Sequence, residues 1–411
     1  MAVAILSAGC SSGGRPDLGA DASAPAASVS GVPAIDPMGW LPYTYEALTA
    51  AIDSGSGSGK TVVFDMDNTV LARDVSEAVI GYAQETDALD TTKIPEELVP
   101  PVVVNGKTVS ISSGPATYYE AVMHSGGDDD PYREFASLPL IADMFAGHTV
   151  DEFVQLTASA YDNGSAAMEF QTGQYETLAG MGRPVVYPQM ADLLGNLRAH
   201  GYDVWIVSAA IGWSARWMIL NAVNPMIEAK YGPEAKIPPD HVIAVFNLMR
   251  DRTSGEFVSD RQLIGRGDSA YLTMDPNRLQ ELEILSLQGD LTSWRGGKAG
   301  VIAQHVSDGP IYLAAGDSFG DMEMMDLAAN RLVVARLNSP KLAAGYAEGV
   351  DAAPDATWMV QPVISTAPVG FVPSKCALAE RTASDAALEA STAASLGWLE
   401  PTGLLAGFDD C

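Results

Sequence analysis

The chain has 411 residues, 47% hydrophobic and 18% charged, which is enough apolar material for a packed core and argues against wholesale disorder. Acidic residues number 52 against 23 basic, a net charge of −29. That balance argues against a nucleic-acid partner, whose phosphate backbone needs a basic face, and against charge-driven docking on anionic lipid. The length allows two domains, or one large domain with an inserted subdomain.

Residues 1–8 are small and apolar, and Gly9-Cys10-Ser11 follows. Ala8-Gly9-Cys10 after an apolar run resembles the bacterial lipoprotein signal. That resemblance implies lipidation at Cys10 and an exported protein, periplasmic or attached to the outer membrane. Residues 11–37, rich in Ala, Ser, Gly and Pro, read as a flexible tether. No later segment has the roughly 18 uninterrupted apolar residues of a span, so membrane contact is expected through the anchor alone. Cys376 and Cys411, both in the tail, are expected to pair in an oxidising compartment.

Residues 40–52 read as a short helix. Thr61 to Phe64 is a β-branched and aromatic run, a buried strand, and it ends in Asp65-Met66-Asp67-Asn68-Thr69. A helix from Pro188 to Ala199 closes at His200-Gly201. Val204 to Val207 forms a second strand ending in Ser208-Ala209-Ala210, and Val242 to Phe246 a third. Trp294-Arg295-Gly296-Gly297-Lys298 opens a helix before a fourth strand, Ile311 to Ala315. That strand ends in Gly316-Asp317-Ser318-Phe319-Gly320-Asp321, and Leu332 to Ala335 is a fifth. Strands separated by helices predict an α/β fold with a doubly wound, Rossmann-like parallel sheet. Ligands of such sheets bind beyond the carboxyl ends of the strands, where three of these strands carry polar clusters.

Two aspartates at i and i+2 past a strand can face one point. One carboxylate can attack phosphorus while ligating a metal. The other, protonated, can donate to a leaving oxygen and later deprotonate water. A site of carboxylates and a carbonyl suits a hard cation such as Mg²⁺. Asp317 would complete it, and Ser208 and Lys298 would hold phosphoryl oxygens.

In this arrangement the chain resembles the haloacid dehalogenase-like hydrolases. The four ordered motifs are Asp65-Met66-Asp67-Asn68-Thr69, Ser208, Lys298 and Gly316-Asp317-Ser318-Phe319-Gly320-Asp321. The acid at the second position of the first motif marks the phosphatase branch. The resemblance implies that Asp65 is the nucleophile and a metal ligand. Asp67 is the acid/base and places its carbonyl on the metal. Ser208 binds phosphate, Lys298 binds phosphate and the nucleophile, and Asp317 ligates Mg²⁺. Asp321 orients Lys298 or a water on the metal.

The stretch between Asp67 and Ser208 is too long for one crossover. It implies a mainly helical cap at 74–183 inserted after the first motif, as in phosphoserine phosphatase-like members. The core is then 38–73 and 184–358, and 359–411 is a C-terminal extension whose chemistry is not legible. Within the branch, the first motif, Ser208-Ala209-Ala210, the export signal and the Trp294–Lys298 segment are similar to bacterial phosphorylcholine phosphatases. A quaternary ammonium needs aromatic faces. Tyr118, Tyr119, Tyr132, Tyr161, Trp213 and Trp217 are candidates, with Glu77 and Trp213 the expected substrate contacts and Asp128-Asp129-Asp130 a further acidic run. The expected activity is hydrolysis of a small phosphomonoester. The alternatives are a phosphoserine phosphatase-like or broad-specificity enzyme and a non-catalytic lipoprotein that binds phosphate ligands. Ser54 to Thr61 only brushes the P-loop pattern and precedes a strand, and the five histidines show no zinc spacing.

Overall fold

Val62, Val63 and Phe64 are consecutive and all fully buried. An uninterrupted apolar strand of this kind is covered on both faces, as parallel sheets are. The structure, a computed structural model, describes residues 31–409 except 57–58, 105, 125–138, 165–181, 308 and 367. Its strands are β1 (Thr61–Phe64), β2 (Leu71–Ala72), β3 (Val102–Val104), β4 (Lys107–Val109), β5 (Val185–Val186), β6 (Asp203–Ile211) and β7 (Val242–Val245). Then follow β8 (Asn247–Asp251), β9 (Phe257–Val258), β10 (Leu282–Gln288), β11 (Ile311–Gly316), β12 (Ala328–Arg336), β13 (Thr357–Ile364) and β14 (Gly370–Phe371).

The main sheet has seven strands in the order β14-β13-β12-β11-β1-β6-β7. All are parallel except β14, which runs against β13. Phe64 lies beside Ala315 on one side and Ile206 on the other. β1 and β11 therefore end close together at the carboxyl edge, just before Asp65 and Asp317, while β6 beside them runs on through Ser208 to Ile211. The doubly wound α/β reading holds.

The tail enters this sheet. Residues 358–364 of β13 are all buried, so a boundary at 358 falls inside a core strand. The helix Pro42–Gly55 packs on β13: the Leu41 amide donates to Gln361 Oε1 at 2.8 Å and Thr44 Oγ1 to the Val360 carbonyl at 2.5 Å. Cys376 is disulfide-bonded, and Cys10 and Cys411 lie outside the described residues.

β2 and β5 pair antiparallel, Leu71 with Val186 and Ala72 with Val185, so the chain leaves and rejoins the core through one two-stranded ribbon. Between them lie the helices Val75–Thr86, Pro115–His124 and Val150–Asn163 and the β3–β4 hairpin. A second unit was not foreseen from the sequence. β10, β8 and β9 form a separate antiparallel sheet between β7 and the helix Gly296–His305. It meets the first insertion backbone to backbone: the Ile284 amide donates to the His148 carbonyl and the Gly147 amide to the Ile284 carbonyl, both at 2.9 Å. The sequence of β8 gives no period-two signal: Asn247 and Asp251 are polar yet buried, while Leu248 is half-buried and Arg250 exposed. Among the described residues no helix is long and apolar enough to cross a membrane.

Candidate active site

The first motif turns sharply. The amides of Thr69, Val70 and Leu71 all donate to the Met66 carbonyl, and Asn68 takes φ 58°. Asn tolerates that left-handed conformation better than most residues because its short amide bonds locally. Asn68 Oδ1 accepts the Arg73 amide at 3.0 Å, which pins the turn. The turn brings Asp65 and Asp67, both buried, into one pocket.

Their environments differ. Asp65 Oδ1 accepts from Lys298 Nζ at 2.5 Å and Oδ2 from Thr69 Oγ1 at 2.9 Å. Asp67 Oδ1 accepts the Val75 amide at 3.1 Å, at the start of the helix Val75–Thr86. Asp67 Oδ2 is buried with no hydrogen-bond partner among the described residues. Burial pushes Asp65 up to about 6, with Lys298 opposing it. Burial, then the charges of Asp74 and Asp65, push Asp67 well above the usual carboxylate range. Neighbouring carboxylates whose environments separate them can act one as base and one as acid.

The helix Gly296–His305 delivers Lys298 from its first turn. A side chain on Gly297 would put Cβ 1.8 Å from the Thr292 carbonyl oxygen, so only glycine lets the helix start this close. Lys298 Nζ also donates to Asp321 Oδ1 at 2.6 Å. Burial would lower the Lys298 ammonium, but Asp321 and Asp65 hold it above the usual lysine range. Asp321 Oδ2 accepts the amides of Asp317 and Ser318 and the Ser318 hydroxyl, at 3.0–3.1 Å. Asp321 thus fixes the turn after β11 and Lys298 together.

Ser208, inside β6, accepts the Ala210 amide on Oγ at 3.1 Å and lines the pocket, where its hydroxyl is free to donate to a bound group. Asp317 Oδ2 is buried without a hydrogen bond among the described residues. One carboxylate oxygen each from Asp65, Asp317 and Asp321 lies within 4.8 Å of the others. Both oxygens of Asp321 accept hydrogen bonds, and so do both of Asp65, from Lys298 and Thr69, so Asp317 carries the carboxylate oxygen of the three that is left without one. Buried carboxylate oxygens that accept no hydrogen bond among the described residues, Asp67 Oδ2 and Asp317 Oδ2, fit a hard divalent cation.

The pocket holds about 170 Å³ and is also lined by Asp74, Glu77, Tyr119, Met123, Trp294 and Arg336. Glu77, expected as a substrate contact, is here, and the Tyr119 hydroxyl is 3.5 Å from its Oε1. Trp213 is not. It is fully buried, donates to the Tyr271 hydroxyl at 3.1 Å and packs edge-on against Phe153 and Phe246, so it is a core residue and no substrate contact. Tyr118 is likewise buried, bonded to the Pro100 carbonyl, and Tyr161 and Trp217 pack on each other away from the pocket. Tyr132 and Asp128–Asp130 lie outside the described residues.

Sequence reasoning missed Asp74 and Arg336. Asp74 caps the helix Val75–Thr86 by accepting the Glu77 amide, and the Asp-x-x-Glu spacing carried that signal. Arg336 is the last residue of β12, one place beyond the strand end read from the sequence.

No family model matches the chain. Over 299 residues it is 27% identical to the phosphorylcholine phosphatase of Pseudomonas aeruginosa, covering 71% of this chain and 78% of that protein. The crystal structure of a conserved, functionally unknown protein from Anaerococcus prevotii aligns with a TM-score of 0.53 at 19% identity, covering 83% of this chain and 97% of that one. That likeness is one of fold. A phosphoserine phosphohydrolase-like protein from Francisella tularensis aligns with a TM-score of 0.30 at 15% identity, covering 67% and 87%, too loosely to carry an argument. The chain is therefore similar in sequence to a phosphorylcholine phosphatase, and in the order of its motifs and their place at the strand ends it resembles the haloacid dehalogenase-like phosphatases.

Proposed function

We propose that the chain is a phosphomonoesterase for a small organic phosphate, working through an aspartyl-phosphate on Asp65. The observation that carries this is the contrast between Asp65, bonded through both oxygens, and Asp67, with one buried oxygen left without a partner. A binding protein has no use for a second buried carboxyl whose proton affinity is raised by burial and by its acidic neighbours.

Lys298 and Thr69 aim the Asp65 carboxylate. The phosphoryl group is seated by Lys298 and the Ser208 hydroxyl. An Asp65 oxygen bonds to phosphorus as the ester P–O bond breaks, and Asp67 gives its proton to the departing oxygen. Asp67, now a carboxylate, takes a proton from water, whose oxygen attacks phosphorus. The Asp65–phosphorus bond breaks, inorganic phosphate leaves and Asp65 is restored. Mg²⁺, held by Asp65, Asp317 and the Asp67 carbonyl, would offset the phosphoryl charge.

The pocket's acids support a substrate class. Of the pocket's cations, Lys298 pairs with Asp65 and Asp321 and Arg336 with Asp317, while the carboxyl groups of Asp74 and Glu77 face the space beyond the phosphoryl seat. That setting favours a cationic leaving group over a carboxylate-bearing one. Tyr119, Met123 and Trp294 give it soft, polarisable walls. The activity named for the Pseudomonas aeruginosa relative supports phosphorylcholine as the first substrate to try. Export and lipidation at Cys10 belong to the same proposal, and a Cys10→Ala chain should leave the membrane fraction of expressing cells.

The test is hydrolysis of an aryl phosphate with Mg²⁺ by the parent and by Asp65→Asn, followed by phosphorylcholine, phosphoserine and glycerol phosphate. Activity lost in the variant and on chelation supports the mechanism. Phosphorylcholine turned over no better than the others removes the substrate assignment. A parent that binds Mg²⁺ and phosphate yet hydrolyses nothing leaves the binding lipoprotein.

A further inference from the structure

Arg336 lies outside all four motifs but inside the pocket. It closes β12, beside Val363 of β13, at the carboxyl edge that carries the motifs. Its Nε is 2.7 Å from Asp317 Oδ2, with the side chains 23% and 4% exposed. Neither atom makes a hydrogen bond among the described residues. The guanidinium thus meets Asp317 by charge, without a directed N–H bond.

This contact has two consequences. A charge contact without a directed bond can be released without orphaning a hydrogen-bond donor, so Oδ2 stays available to another cation. A guanidinium and a divalent ion on the same carboxylate also repel each other, and in a buried site that repulsion is weakly screened. On the other side of the balance, Asp65, Asp317 and Asp321 crowd one buried region and Lys298 pairs with Asp65 and Asp321, which leaves Arg336 as the cation beside Asp317.

We propose that Arg336 is a positioning residue that acts through Asp317: its guanidinium shares Oδ2 with a divalent cation bound there, repels that cation, and so weakens and sets the site's affinity for it. The inference rests on the reading of Asp317 as a metal ligand.

The experiment is calorimetric titration of the full chain with Mg²⁺, comparing wild type, Arg336→Gln and Arg336→Lys. Arg336→Gln should bind Mg²⁺ roughly three- to tenfold more tightly, and its chelated form should melt at lower temperature. Arg336→Lys, which keeps the charge, should stay close to wild type. Unchanged or weaker Mg²⁺ binding in Arg336→Gln overturns the inference while leaving the metal reading intact. No Mg²⁺ binding by the wild type overturns both. Should Arg336→Gln fail to fold, the ¹⁵Nε signal of Arg336 in the wild type, assigned by its absence in Arg336→Lys, decides the matter. It should move when Mg²⁺ saturates the site, and a signal that stays put rejects the proposal.

Discussion

Lys298 Nζ stands 2.6 Å from Asp321 Oδ1, and the other oxygen of Asp321 caps the turn that presents Asp317. One carboxylate therefore holds both Lys298 and the turn that presents Asp317. Asp321→Asn can satisfy either the lysine or the three donors on Oδ2, but not both. Breaking a buried pair of this kind costs about 3–5 kcal/mol. Denaturant unfolding should show a loss in that range, and kcat should fall by at least roughly 100-fold as Lys298 drifts from Asp65. A stable Asp321→Asn protein with normal kcat would remove Asp321 from the machinery.

Asp67 sets function against stability. Burial raises its proton affinity in the folded state above the ordinary value of 3.8, and Asp65 is likewise raised to about 6. Between the unfolded and folded values the native state holds more protons than the unfolded one, so stability falls as pH rises through that window. The chelated protein should melt progressively lower from about pH 4 to beyond pH 6. Asp67→Asn removes the buried acid. It should lose roughly 10²–10⁴-fold in kcat while its chelated form melts roughly 2–4 °C higher at pH 7.5. Differential scanning calorimetry reads the second effect, and a variant that melts lower contradicts the burial argument.

Much of this was legible in the sequence because the chemistry sits where regular structure ends. Val62 to Phe64 and Ile311 to Ala315 are apolar runs with polar clusters attached, and their periodicity placed Asp65 and Asp317 at one edge. Arg336 was lost because its strand reads as apolar only as far as Ala335, and the register that adds one more residue comes from pairing with β13. β13 itself was left in the tail because nothing local distinguishes Thr357–Ile364 from an edge segment until the helix Pro42–Gly55 covers it. Trp213 misled for a related reason. An aromatic just after a motif strand can face the pocket or the core, and only its bond to Tyr271 decides.

Gly297 and Gly296 are neighbours with opposite constraints. A Cβ on Gly297 would sit 1.8 Å from a backbone oxygen, whereas one on Gly296 would meet nothing within 4 Å. Helix propensity favours Ala over Gly by about 1 kcal/mol at either site, so sterics decide. Gly296→Ala should be neutral or slightly stabilising. Gly297→Ala should lose about 1–3 kcal/mol and shift the helix start, lowering kcat with it. Equal behaviour of the two variants in unfolding and turnover would show that the approach of Thr292 does not fix Lys298.

Glu77 tests the substrate assignment apart from the mechanism. Burial, then Asp74 and Glu120, push its carboxyl well above the usual range, with Arg336 opposing. A quaternary ammonium seated beside it would favour the charged form and gain a buried counter-ion, whereas an aryl phosphate, whose leaving group carries no cation, would not. Glu77→Gln keeps the shape and its contact with Tyr119 but cannot ionise. KM for phosphorylcholine should rise roughly tenfold, a charge contact of moderate strength, while kcat and KM for an aryl phosphate stay near the parent values. If both substrates lose kcat alike, Glu77 supports the catalytic aspartates instead. If neither changes, the cation is read elsewhere in the pocket, with the aromatic walls of Tyr119 and Trp294 the next residues to replace.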